Sequence, residues 1–131
     1  MQNKKILIVD DDSFLLDMYA LKFSQSGAEV MTGLGALPAL EKLHSGYVPD
    51  IILLDIVMPG MDGFEFLEKL KNEKLAEKAI KIILSNRGAD TDIKKGTDLG
   101  ASGYIVKAST TPTEVLTQVT DIFTRCCLVK A

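Results

Sequence analysis

Five short apolar runs alternate along the chain with five segments of helical periodicity. Apolar runs bounded by polar or turn residues are typical of strands buried in a parallel sheet. Strands are predicted at about 5–9, 28–32, 51–54, 80–84 and 103–106, and helices at about 13–26, 36–45, 63–73, 90–98 and 112–127. Five strand–helix units in series predict an α/β fold, in which helices cover both faces of a parallel sheet.

Residues suited to helix ends lie at several of the predicted boundaries. Ser13 and Asp62 are expected to cap the first and third helices. Gly27 and Gly46 follow the first and second helices, where glycine commonly ends a helix. Pro112 is expected to open the last helix, because its missing N–H costs nothing at a first helical position.

Length and composition narrow the class of protein. A chain of 131 residues predicts one domain, residues 1–131, without an attached output domain. A net charge of −3 argues against nucleic-acid binding by this domain. The sequence shows neither a membrane span nor a signal peptide, so a cytoplasmic location is expected. The adjacent Cys126 and Cys127 are interpreted as ordinary thiols, because they fit neither a disulfide framework nor a metal motif.

Carboxylates follow two of the predicted strands. Asp55 ends the strand at 51–54, and Asp10, Asp11 and Asp12 follow the first strand. Ligands of open α/β sheets bind at the carboxyl ends of the strands, where these acids are expected to meet. Mg²⁺ relieves repulsion between carboxylates and keeps waters or phosphate oxygens as its other ligands. The acids therefore predict a Mg²⁺-assisted phosphoryl site, with Asp12 interpreted as a first-turn helix acid and not as a ligand.

A hydroxyl and an ammonium are expected at the same edge of the sheet. Ser85 follows the strand at 80–84, and Lys107 follows the strand at 103–106. Phosphoryl transfer spreads negative charge over the phosphoryl oxygens, which a metal, a hydroxyl donor and an ammonium can stabilise. The strand ends thus predict phosphoryl-transfer chemistry.

Four motifs in this order resemble the receiver domain of response regulators in bacterial two-component signalling. They are VDDD at 9–12, LDIVMPGMDG at 54–63, LS at 84–85 and GASGYIVK at 100–107. The resemblance covers essentially the whole chain. It implies a flavodoxin-like, doubly wound sheet of strand order 2-1-3-4-5 with five helices. It also implies a phosphorylation-switched signalling domain, similar to the CheY-like receivers, and not an enzyme.

The resemblance assigns the acids their roles. Asp55 is implied to accept a phosphoryl group from a sensor histidine kinase or a histidine phosphotransfer protein. Asp10, Asp11 and Asp55, together with the backbone carbonyl of Val57, are implied to hold Mg²⁺.

The resemblance also implies a switch. Ser85 is expected to hydrogen-bond a phosphoryl oxygen, and Lys107 to pair with the phosphoryl group. Tyr104 matches the aromatic residue that changes rotamer as Ser85 moves. The output is then contact with a downstream protein, through the face formed by the fourth helix, fifth strand and fifth helix.

Two residues depart from the family's pattern. Ala108 follows Lys107, where receivers usually have a proline preceded by a cis bond. Because a cis bond without proline costs about 2.5–4 kcal/mol, a trans bond is predicted here. Asn86 follows Ser85 in place of a small residue, which concerns the kinetics of phosphorylation more than the identity of the site.

Other hypotheses about the function remain open. A haloacid-dehalogenase-type phosphatase also uses an Asp nucleophile, but Val57 stands where its general acid would be. A flavin-binding flavodoxin would need a phosphate loop after the first strand, where three acids would repel a phosphate. A phosphorylation-incompetent pseudo-receiver is opposed by the intact set of acids, Ser85 and Lys107.

Overall fold

Five parallel strands form one sheet in the order β2-β1-β3-β4-β5. The computed structural model describes the backbone of residues 1–130 and the side chains of residues 1–126. Both the α/β class and the strand order implied by the resemblance are confirmed. The strands are β1 (Lys5–Asp10), β2 (Glu29–Leu34), β3 (Ile51–Leu54), β4 (Ile80–Ser85) and β5 (Gly103–Val106).

The helices follow the strands in alternation, and each lies close to its predicted position. A 3-10 turn at Lys107–Ser109 precedes the last helix. Within the described residues, no helix is both long and apolar enough to cross a membrane. The helices are α1 (Ser13–Gln25), α2 (Ala36–His44), α3 (Gly63–Asn72), α4 (Asp90–Asp98) and α5 (Pro112–Lys130).

The sheet is buried on both faces, which explains the uninterrupted apolar runs. Alternate residues of β1 enter two different hydrophobic clusters, because successive side chains of a strand point to opposite faces. Leu7 and Val9 join the cluster that includes α2 and α3. Ile6 and Ile8 join the cluster that includes α1 and α5.

The cap of α1 differs from the prediction. Asp12, not Ser13, is the N-cap, and its Oδ1 accepts hydrogen bonds from the amides of Phe14 at 3.0 Å and Leu15 at 3.2 Å. The backbone of Asp12 is extended, whereas Ser13 is already helical. The interpretation of Asp12 as a first-turn acid is therefore corrected: its carboxylate starts the helix from the position before it.

The ends of α3 and α5 agree with the sequence. Asp62 caps α3 in a capping box, since its Oδ1 accepts from the Glu65 amide at 2.8 Å and Glu65 accepts from the Asp62 amide at 3.2 Å. Pro112 opens α5 as predicted.

Two further predictions concern the loop before α5 and the terminal cysteines. The Lys107–Ala108 bond is trans, as predicted. The side chain of Cys126 is half-buried and its thiol is free, whereas the side chain of Cys127 lies outside the described residues.

Gly63→Ala is expected to lower the free energy of unfolding by about 1–3 kcal/mol. A Cβ at Gly63 would lie 2.2 Å from the carbonyl oxygen of Asp55 and 2.8 Å from the Cα of Ile56, which are backbone atoms. Urea unfolding measures the loss. Gly88→Ala is the control, because its Cβ would meet a side-chain methyl of Val106 at 3.1 Å. Equal losses in the two variants would contradict the expectation.

Candidate functional site

The carboxyl ends of four adjacent strands bring the predicted site residues to one edge of the sheet. Asp10 ends β1, Asp55 follows β3, Ser85 ends β4 and Lys107 follows β5. All four strands are parallel neighbours, so these ends meet although the residues are far apart in sequence. Asp10, Asp55 and Ser85 are the buried polar residues of the described chain, which sets this edge apart from the apolar core.

Lys107 joins two of the carboxylates. Its Nζ donates to Oδ2 of Asp10 at 2.8 Å and to Oδ2 of Asp55 at 2.9 Å. The remaining oxygens accept from backbone amides: Oδ1 of Asp10 from Asp12 at 3.0 Å, and Oδ1 of Asp55 from Ile56 at 2.7 Å. Each carboxylate is therefore held at both oxygens, once by an ammonium and once by the main chain.

A third carboxylate completes an oxygen cluster that suits a divalent cation. Asp11 is exposed, and one carboxylate oxygen each of Asp10, Asp11 and Asp55 lies within 4.8 Å of the other two. Three carboxylates carry more negative charge than the one ammonium of Lys107 neutralises. Hard cations prefer such oxygen donors. Val57 lies in the loop after β3 with an exposed side chain, and the role of its carbonyl stays a prediction.

Ser85 and Tyr104 share one neighbour that the sequence did not reveal. The Ser85 hydroxyl is fully buried and accepts a hydrogen bond from the amide of Arg87 at 3.2 Å. The half-buried Tyr104 donates its own hydroxyl to the carbonyl of Arg87. Arg87 thus bonds both predicted switch residues through its main chain. Its position two residues after Ser85 was the one feature of the sequence that could have indicated this role. Main-chain hydrogen bonds do not depend on the type of side chain, so the residue type gives no indication of them.

The site perturbs its own titratable groups. Burial raises the pKa of Asp10, against the opposing effect of the Lys107 hydrogen bond. Burial by itself would lower the pKa of Lys107, but the hydrogen bonds and charges of Asp10 and Asp55 raise it overall. The ammonium therefore stays charged at neutral pH, while the buried carboxyl of Asp10 holds its proton more strongly than an exposed one. Burial also raises the pKa of Tyr104.

Comparisons with known proteins agree on one family. The family model described as the response regulator receiver domain matches residues 6–120. The alkaline phosphatase synthesis transcriptional regulatory protein PhoP of Bacillus subtilis is 33% identical over 123 residues, which are 94% of this chain and 50% of PhoP. The phosphate regulon transcriptional regulatory protein PhoB of Escherichia coli is 29% identical over 93% of this chain and 52% of its own length. The chain therefore spans about half the length of these relatives.

Solved structures show the same architecture over nearly the whole length of their chains. The chemotaxis protein CheY4 of Vibrio cholerae superposes with a TM-score of 0.83 at 27% identity, covering 92% of this chain and 98% of CheY4. A CheY-like receiver domain protein of Methanospirillum hungatei gives a TM-score of 0.83 at 28% identity, with 95% and 96% of the two chains covered. These likenesses extend to the sequence as well as to the fold.

Without divalent cations, Asp10 is expected to lower the free energy of unfolding as pH rises above 3.8. The native state keeps this proton at pH values where an ordinary aspartate, with a pKa of 3.8, has lost it. The native state then binds more protons than the unfolded chain, so stability falls as pH rises through this window. Asp10→Asn cannot titrate and should remove this contribution.

Urea unfolding of the native chain and the variant across this pH range measures the difference between them. Asp98→Asn serves as the control, because Asp98 is exposed and pairs with Lys94 away from the site. If the free energy of unfolding changes with pH in the same way for the native chain and for Asp10→Asn, the inference that the pKa of Asp10 is raised is wrong.

Proposed function

The chain belongs to the response regulator receiver domain family, and we propose that Asp55 is the residue on which it accepts a phosphoryl group. The family is a signalling family whose members take part in two-component phosphotransfer. The observation that supports Asp55 is its position: a buried carboxylate at the end of the central strand β3, joined to Lys107 and next to Asp10 and Asp11.

The proposed reaction needs little from the protein beyond position and charge. An oxygen of the Asp55 carboxylate attacks the phosphorus of a phosphohistidine on the partner. The new bond joins this oxygen to phosphorus, the bond from phosphorus to the imidazole nitrogen breaks, and the imidazole leaves with that electron pair. Negative charge builds on the phosphoryl oxygens during the transfer. Lys107, 2.9 Å from Asp55, supplies a fixed positive charge at that place.

We propose Mg²⁺ as the cofactor of this step. Asp10, Asp11 and Asp55 supply the oxygen donors, with the carbonyl of Val57 as a further ligand. When bound, the ion would neutralise carboxylate repulsion and stabilise charge on the phosphoryl oxygens. Asp12 is not among the donors, because its carboxylate caps α1.

Ser85 and Tyr104 are proposed to report phosphorylation to the rest of the domain. The Ser85 hydroxyl accepts from the Arg87 amide in this structure, and as a donor it can turn toward a phosphoryl oxygen on Asp55. Tyr104 is coupled to the same loop by its bond to the Arg87 carbonyl. A change at Ser85 can therefore reach Tyr104 through one residue.

The proposed partners are proteins on both sides of the transfer. The donor is a sensor histidine kinase or histidine phosphotransfer protein, and the target is a protein that contacts the α4–β5–α5 face near Tyr104. The curated relatives are named as transcriptional regulators and are about twice as long. Because this domain is acidic, we do not expect it to contact DNA itself.

The two alternative functions fit the site less well. A phosphatase that uses an Asp nucleophile needs a general acid two residues later, and Val57 offers an exposed apolar side chain there. A pseudo-receiver would be expected to lack part of the acceptor set. Here the acids, Ser85 and Lys107 converge on one edge of the sheet. A signalling domain without a substrate of its own is therefore the function we propose.

Asp55 is expected to gain a single phosphate when the chain is incubated with acetyl phosphate and Mg²⁺. The intact mass measures the addition, and EDTA should prevent it. Asp55→Ala should stay unmodified. Labelling that survives either Asp55→Ala or EDTA would refute the assignment.

Asp11→Asn should weaken Mg²⁺ binding at least as much as the roughly tenfold typical of lost outer-shell partners. The matched control is Asp12→Asn, because asparagine also caps helices and should leave Mg²⁺ affinity unchanged.

Ser85→Ala is expected to accept phosphate at Asp55 but to respond less. The response is measured as the change in amide hydrogen exchange of residues 86–98 on phosphorylation. Without the hydroxyl, the Arg87 amide has no acceptor at Ser85 that can move toward the phosphoryl group. Ser102→Ala, at an exposed serine before β5, is the control and should respond as the native chain does. A full response in Ser85→Ala would show that the hydroxyl carries no signal.

A further inference from the structure

The helix α4 is held by few apolar contacts of its own. Of its nine residues, Asp90–Asp98, only Gly96 is buried, and the N-cap Ala89 makes no side-chain hydrogen bond to the helix. A Cβ at Gly96 would lie 2.5 Å from Cδ1 of Ile83, so the helix approaches the sheet closely but contributes little side-chain surface there. An element with few buried apolar groups lies at the low end of local stability.

Two cationic side chains from this region lie near the same aromatic ring of α3. The Nζ of Lys95, in α4, lies 4.6 Å from the centre of the Phe64 ring, and the guanidinium carbon of Arg87 lies 6.0 Å from it. Phe64 is only 4% exposed. Arg87 also pairs with Asp92 in the first turn of α4, at 2.8 Å. Attraction between a cation and a ring face falls within these distances.

Both sides of this contact connect to the candidate site through the backbone. Phe64 follows Gly63, whose amide donates to the carbonyl of Ile56 at 2.8 Å. Gly63 is so close to the carbonyl of Asp55 that it leaves no room for a Cβ. On the other side, the amide of Arg87 donates to the Ser85 hydroxyl. The ring is thus fixed to the Asp55 strand, and one of its cations is fixed to Ser85.

We propose that Phe64, Arg87 and Lys95 form a clasp that holds α4 against α3 while Asp55 is unphosphorylated, and that phosphorylation opens it. The opening half rests on the proposed function: when the Ser85 hydroxyl turns to the phosphoryl group, the Arg87 amide loses its acceptor. The Arg87 backbone then moves, and its side chain leaves the ring. Arg87 and Lys95 are positioning residues, since they act on α4 and touch no phosphoryl oxygen.

The test compares amide hydrogen exchange of residues 90–98 in the full chain and in Lys95→Met, which keeps an unbranched apolar side chain but removes the cation. In the unphosphorylated chain, Lys95→Met should speed this exchange by about two- to fivefold. The control is Lys94→Met, because Lys94 is the neighbouring residue on the helix and pairs with the exposed Asp98 at 3.0 Å. Its effect should be about twofold at most.

A double-mutant cycle separates the clasp from a general weakening of α4. In a Phe64→Leu background, Lys95→Met should add nothing, whereas Lys94→Met should keep whatever small effect it has. If Lys95→Met speeds exchange equally in both backgrounds, or not at all, the clasp does not exist.

The opening half is tested in the chain phosphorylated by acetyl phosphate with Mg²⁺. Exchange of residues 90–98 should rise on phosphorylation, because the Arg87 side chain has left the Phe64 ring. If phosphorylation leaves the amide exchange of residues 90–98 unchanged, the clasp does not open on phosphorylation, but its existence in the unphosphorylated chain is not contradicted. If the intact mass shows no phosphate on Asp55, the proposed function fails and the opening fails with it, while the unphosphorylated comparison still decides whether the clasp holds α4.

Discussion

The bridge from Lys107 to Asp10 and Asp55 is the interaction on which the rest of the site depends. It ties the ends of β1, β3 and β5 together and places one positive charge in contact with two buried carboxylates. Desolvation offsets most of the attraction in a buried ion pair, so the bridge is weak evidence of stability. Its consequence is positional. Any cation that enters must compete with the Lys107 ammonium for the carboxylate oxygens, and any phosphoryl group that enters meets a positive charge already in place.

The sheet and the acids at its edge were predictable because their causes are local and periodic. Strands buried on both faces read as unbroken apolar runs, and parallel order carries their carboxyl ends to one side. Asp62 and Pro112 were predictable because capping depends on neighbouring residues alone. The edge strand β2 begins at Glu29 and ends at Leu34, later than predicted. Its residues are mostly half-exposed, so its apolar pattern is weaker than that of the central strands.

Other features depend on relations that no local pattern records. Asp12 and Ser13 are both good cap residues, and the choice between them depends on where the backbone turns after β1. The importance of Arg87 comes from its amide and carbonyl, which every residue but proline has, and from a ring that lies 23 positions earlier in the chain. Neither the hydrogen bonds nor the ring contact could be read from the residue type.

The alanine after Lys107 shows how the site tolerates a departure from the family's pattern. With a trans bond, the chain enters a 3-10 turn in which the Thr110 amide donates to the Lys107 carbonyl at 3.2 Å, and the Thr110 hydroxyl donates to Val106 at 2.7 Å. The ammonium still reaches both carboxylates. It can do so because lysine places a compact charge on a flexible four-carbon stem, which absorbs changes in the backbone beneath it. A planar guanidinium would need its fork aligned as well as its charge, so the same loop would not serve an arginine equally well.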